Sequence, residues 1–240
     1  MAERDVAIRD LIDAQPDAVP GMAGFLTQMC RAAVGALSAS GTGVSVFTAD
    51  AVRGVCAASD ARSERMEEMQ FVLGEGPCID AFDTRTPVLV ADLGDDAATR
   101  WPMYAPAARA AGVRAVFAFP LQMGTVRLGV LDVFRDTVGA LSDDHLIDAR
   151  TFADVTVAAL LDAQESTEEA GNASDIGIGD AIEHRAEVFQ AQGMVMVQIE
   201  GTISEAMARM RAHAYAESRG LSEIARDVLA GRLSFDRDRL

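Results

Sequence analysis

The chain has 240 residues, half of them apolar, and a formal charge of −16. That composition supports a substantial buried core and excludes a largely disordered chain, while the acidity argues against broad, non-specific binding to nucleic acid. No run approaches the roughly 20 apolar residues of a membrane span, and Met1–Asp5 lack the basic start and apolar core of a signal peptide, so a soluble cytoplasmic protein is expected.

The charge is uneven. Residues 1–180 hold 13 arginines against 28 acids, whereas residues 181–240 hold 8 against 9. The second part therefore remains able to approach a polyanion. Cys30, Cys56 and Cys78 make an odd number without a CxxC pair, and the three histidines, His145, His184 and His213, are scattered. Neither a disulfide framework nor a structural zinc site is expected from that pattern.

Residues 1–20 mix charges with Pro16 and Pro20 and read as a loosely held lead-in. From Gly21 to Leu37 apolar residues recur at helical spacing (Met22, Phe25, Leu26, Met29, Ala33). The period then changes, and Gly43–Phe47 and Val52–Ala57 read as two strands around a turn at Ala49–Asp50. Ala61–Gln70 is an acidic helical stretch. In Gly74-Glu75-Gly76-Pro77-Cys78, two glycines and a proline predict a tight turn, with Pro77 opening a short helix. A strand over Pro87–Asp92, a helix over Tyr104–Ala111, and strands over Val113–Leu121 and Val126–Phe134 follow. Asp143–Gln164 reads as a long amphipathic helix capped by Ser142.

This order predicts an α+β domain with a mainly antiparallel sheet flanked by helices. Glu165–Gly179 reads as a linker. Three helices are expected beyond it: Asp180–Ile199; a second opened by the capping-box spacing Thr202–Glu205 and stopped by Gly220; and Ser222–Leu229. In the first, Ile182, Ala186, Phe189, Gly193 and Met196 keep one side toward a partner. A glycine inside such a helix costs about 1 kcal/mol relative to alanine. Gly193 therefore marks either a packing notch or the close approach of a ligand, while Met194 and Met196 read as core.

Residues 184–229 resemble the ANTAR domain, an RNA-binding module of bacterial antitermination regulators. The residues that carry the likeness are Arg185-Ala186, Gln190 through Met196, Ala206, Met210-Arg211, Ala214, Leu221 and Ile224-Ala225. Residues 22–164 are similar to a GAF domain, a small-molecule sensor fold, through the Gly74–Cys78 turn and the strand Pro87–Asp92, in the arrangement of actinobacterial regulators that join the two. The domains expected are thus a lead-in over 1–20, a GAF sensor over 21–164, a linker over 165–180 and an all-α three-helix ANTAR module over 181–235.

The resemblance implies a homodimer that binds paired RNA stem-loops and prevents a terminator from forming. Loops expose unstacked bases whose edges can be hydrogen-bonded, and arginines position the phosphates. The implied RNA contacts are Arg185, Gln190, Gln192, Gly193, Arg209 and Arg211. Gln192 and the pair Val197-Gln198 stand where cations are common in the family, which lowers the expected affinity. Cys30 and Cys56 read as core and Cys78 as a buried small hydrophobe, with Cys56 and Cys78 the candidate sensing positions for a small-molecule effector or redox state and the signal passing through the long helix and the linker. No catalytic residue, cofactor, metal or membrane partner is expected, and the GAF ligand is not specified. Two alternatives stay open: a thiol enzyme using Cys78, since some GAF proteins reduce free methionine sulfoxide, and a protein-interaction or DNA-binding helical module. Asp80, Asp83 and Asp92 read as capping or turn residues.

Overall fold

Ten helices and five strands are seen among the residues described by the computed structural model, which are 2–16, 20–47, 53–169, 179–217 and 219–235. Side chains are described for these except at 2, 47, 53–56, 164–169, 179–186, 204 and 222. The expected turn at Ala49–Asp50 lies outside the described residues. The chain divides into two units, Met1–Gly179 and Asp180–Leu240.

The first unit is organised by β4 (Ala115–Met123) and β5 (Val126–Arg135), two apolar strands joined by a short turn. They form the middle of a five-stranded antiparallel sheet of order β2-β1-β5-β4-β3, with β1 at Gly41–Phe47, β2 at Arg53–Ala58 and β3 at Val88–Val90. Side chains alternate across the sheet, so Val130, Asp132 and Phe134 point to one face and Leu131 and Val133 to the other. On the second face lie α1 (Ala2–Asp13), α2 (Met22–Ala36) and α7 (Asp143–Glu169). The first face is covered by α3 (Ala61–Leu73), α4 (Pro77–Thr84) and the layer of α5 (Asp95–Arg100) and α6 (Tyr104–Ala110).

Three expectations need correction. Within the expected lead-in, Ala2–Asp13 is not loosely held, because α1 buries Ile8 and Ile12 and Arg4 pairs with Asp144 and Asp148 of α7 at 3.0 and 3.1 Å. Two isoleucines spaced four apart anchor a helix whose other large apolar residues, Val6 and Leu11, are exposed, too sparse a signal to register as a stripe. The long helix ends later than the expected Gln164, since α7 continues to Glu169; residues 170–178 lie outside the described residues. Gly220 does not end a helix. The second C-terminal helix stops at Ala216, and Gly220, at φ −67°, is the N-cap of the third.

In the second unit, α8 (Gly179–Gln198), α9 (Ile203–Ala216) and α10 (Leu221–Leu229) enclose a small core of Val188, Ala191, Val195, Ile199, Met210, Ile224 and Val228. Its first joint follows the expected capping chemistry. Thr202 Oγ1 accepts from the Glu205 N–H while Glu205 Oε2 accepts from the Thr202 N–H at 2.7 Å, and Glu223 accepts from the Gly220 N–H at 3.0 Å.

Candidate functional site

A polar cluster lies buried inside the apolar layer between the sheet and helices α3, α4 and α6. Three positions of α3 (Ser63, Glu67 and Gln70) recur at helical spacing and face the sheet, each of them buried. The sheet makes room for them. A Cβ at Gly43 would lie 2.6 Å from the Glu67 side chain, so β1 accepts Glu67 only with glycine at that position. Gly43 is the register partner of Asp132 on β5, which brings the Glu67 and Asp132 carboxyls to the same point of the sheet.

The Gly74–Cys78 turn completes the cluster. Gly74, at φ 70°, ends α3, and Pro77 occupies the first turn of α4 as expected. Gly76 adopts φ 138°, and a Cβ there would press on Gln70 Oε1. Gln70 Oε1 instead accepts from the Cys78 N–H at 2.8 Å, and Gln70 Nε2 donates to Asp132 Oδ2 at 3.1 Å. Ser45 Oγ donates to Glu67 Oε2 at 2.7 Å. Glu75 turns outward, and its Oε1 accepts from the N–H groups of Met103 and Tyr104 at 2.6 and 2.8 Å, fixing the start of α6.

One carboxylate oxygen from Glu67, one from Asp132 and Cys78 Sγ all lie within 4.8 Å of one another. Burial pushes the Asp132 carboxyl up to about 6, against the hydrogen bonds from Glu67, Cys78 and Gln70 that favour its charged form. The Tyr104 hydroxyl is held well above its ordinary range, first by burial and then by the charges of Asp132, Glu67 and Cys78. Its oxygen is buried without a hydrogen-bond partner among the described residues.

The sequence reading named only Cys78 from this cluster. Glu67, Gln70, Tyr104 and Asp132 were missed, although two signals for them exist: a polar Ser63–Glu67–Gln70 face on α3, and one acid in the centre of the apolar strand β5. Cys78 is buried as a small hydrophobe would be, yet its neighbours include two carboxyls. The Cys56 side chain is outside the described residues, and Cys30 is a buried thiol on α2. Asp80 has a structural partner, accepting from Arg100 Nη2 at 2.7 Å and from Trp101 Nε1 at 3.2 Å.

The expected RNA contacts differ in exposure. Gln192 is buried, and its Nε2 donates to the Ile203 carbonyl at 2.7 Å, tying α8 to the start of α9. It is a structural residue. Gln198 is likewise engaged, accepting from the Phe235 N–H at 2.9 Å. Gln190 is exposed, Arg209 and Arg211 are half-buried on α9, and the Arg185 side chain lies outside the described residues. Among the described residues Gly193 is no packing notch within this unit, because a Cβ there would meet none of them within 4 Å. The buried stripe of α8 is Val188–Ala191–Val195–Ile199, set slightly around the helix from the expected one. Met194 is consequently exposed and Met196 only half-buried, against the core reading of both.

The profile of the GAF domain family matches residues 21–161. Among solved structures, the chain is similar to the GAF domain of a phosphoenolpyruvate-protein phosphotransferase from Coxiella burnetii, at 15% identity and a TM-score of 0.52, covering 70% of this chain and 96% of that one. It is also similar to the GAF domain of the Acinetobacter phosphoenolpyruvate-protein phosphotransferase, at 12% identity and a TM-score of 0.49, covering 71% and 96%. The first likeness speaks to the fold alone. No curated protein matches the chain.

Proposed function

The chain belongs to the GAF domain family through residues 21–161, and from that premise we propose a signal-responsive regulator whose GAF unit receives a small-molecule or redox signal and whose three-helix unit binds RNA stem-loops as a dimer to control transcription antitermination. The observation that carries the reading is the pairing of a GAF domain with a helical unit bearing the ANTAR-like residues of 184–229. The near-neutral charge of residues 181–240, against the acidity of the rest, leaves that unit able to approach a polyanionic partner. The contacts this reading keeps are Gln190, Arg209 and Arg211, with Arg185 and the open backbone at Gly193. Gln192 would serve less readily, because it is buried and its Nε2 donates to the Ile203 carbonyl.

The environment of Cys78 weighs against the thiol-enzyme alternative. Reactive thiolates sit beside cations or exposed helix starts, whereas neighbouring carboxylates favour the protonated thiol, and Cys78 is 3% exposed. Crosslinking the full chain to cellular RNA, followed by sequencing, tests the proposal. Enrichment of leader RNAs carrying paired short-loop hairpins is expected. Recovery no greater than from an uncrosslinked control sinks it.

A further inference from the structure

We infer that Glu67, Cys78 and Asp132 form a binding site for a first-row divalent transition-metal ion, closed by Tyr104. The inference rests on the sensing half of the proposed function only for its biological meaning; the chemistry stands on the cluster itself.

The donor set is the first argument. Two carboxylate oxygens and a thiolate sulfur converge within 4.8 Å from three different elements: α3, β5 and the start of α4. Mixed oxygen and sulfur donors suit borderline ions such as zinc, iron(II) or cobalt(II) better than magnesium or calcium, which take oxygen alone. Metal–oxygen and metal–sulfur bonds of about 2.0–2.3 Å place ligand atoms three to four ångströms apart, against separations of at most 4.8 Å in the cluster without an ion.

The second argument is independent of the acids. The Tyr104 hydroxyl lies wholly inside the protein, within electrostatic reach of Asp132, Glu67 and Cys78, and has no hydrogen-bond partner among the described residues. A buried hydroxyl left so is costly. A water or hydroxide bound to the ion would be its partner.

The third argument is support behind the donors. Ligating carboxylates are commonly held by hydrogen bonds to their other oxygens. Here Ser45 Oγ donates to Glu67 at 2.7 Å and Gln70 Nε2 to Asp132 at 3.1 Å. The Gln70 amide also fixes the Cys78 backbone at 2.8 Å, so one residue orients two donors. Gathering three acidic groups in an apolar layer is unfavourable unless protons or a cation neutralise them. An arriving divalent ion would displace the thiol proton and any carboxyl proton.

Cobalt(II) is the probe. The full chain is stripped by chelator dialysis and titrated while absorbance is followed. One equivalent should bind, with a near-ultraviolet thiolate-to-cobalt charge-transfer band. In Cys78→Ser the band should vanish, and Glu67→Gln and Asp132→Asn should each weaken cobalt binding at least tenfold. No cobalt retained by the wild type on equilibrium dialysis overturns the site, as does a band that survives Cys78→Ser. X-ray absorption of the wild type loaded with zinc guards against variants that fail to fold: a sulfur scatterer at about 2.3 Å is expected, and its absence overturns the proposal. These readouts are independent of RNA, so an unresponsive RNA complex with an intact cobalt site would discard the sensing link while leaving the metal site standing.

Discussion

Gln70 Nε2 donates to Asp132 Oδ2 at 3.1 Å, and the other end of the same amide holds the Cys78 N–H at 2.8 Å. One buried side chain thus joins α3, the Gly74–Cys78 turn and the central strand β5. Gln70→Met keeps the volume and removes both bonds, leaving a buried N–H and a carboxyl oxygen without their partner. Each such loss costs about 1–3 kcal/mol. Urea unfolding should show a loss of about 2–4 kcal/mol, and a loss below about 0.5 kcal/mol contradicts the linking role.

Asp132 gives the first unit a pH dependence of definite sign. Burial lifts its folded value to about 6 from 3.8, so the folded chain holds this proton through a range where the unfolded chain has released it. The contribution of this group is therefore fullest below about 4 and is lost as pH rises through about 6. In chelator-treated protein, Asp132→Asn should gain on the wild type as pH rises from 4 to 7 and then level off. A difference that shrinks with rising pH refutes the assignment.

Tyr104→Phe separates a ligand role from a structural one. Removing a buried hydroxyl that has no partner should leave the stability of metal-free protein unchanged or raise it by about 1 kcal/mol. Cobalt affinity should fall in the same variant. Destabilisation beyond about 2 kcal/mol, measured by thermal unfolding, shows that the hydroxyl is already satisfied.

Gln190 and Gln192 sit two residues apart on α8 with opposite predicted outcomes. Gln192→Ala frees the Ile203 carbonyl and should destabilise the second unit by about 1–3 kcal/mol. Gln190→Ala should leave folding intact and weaken RNA binding. Hydrogen exchange of α8 and α9 reads the first effect, and fluorescence anisotropy with labelled RNA reads the second.

Gly193→Ala should stabilise α8 by up to about 1 kcal/mol, because the new methyl meets none of the described residues and alanine favours the helix. If an RNA loop or a second copy approaches that backbone, the same variant should bind RNA more weakly while melting higher.

Much of this fold was legible in the sequence because strong periodicity and turn chemistry carry it. The strands β4 and β5, the Pro77 helix start, Ser142 accepting from the His145 N–H and the Thr202–Glu205 capping box all came from local pattern. What stayed hidden depended on distant partners. Glu67 looks like one acid of an exposed helix until Gly43, across the fold, makes room for it. Asp132 looks like an interruption of a strand until Gln70 reaches it. Gln192 was read as a surface contact because the carbonyl it satisfies belongs to the next helix. The slight rotation of the α8 stripe is of the same kind, since α9 and α10 choose which of two adjacent apolar rows is buried.

The central claim is sequence-selective RNA binding by the helical unit of a GAF-domain protein. Its most direct measurement is the affinity of the full chain for a dual stem-loop RNA, set beside a loop-scrambled RNA and a duplex DNA of equal charge at one low salt concentration. The account predicts preference for the intact loops, weakened by Arg209→Ala and by added salt. Equal binding to all three, or none, would contradict it.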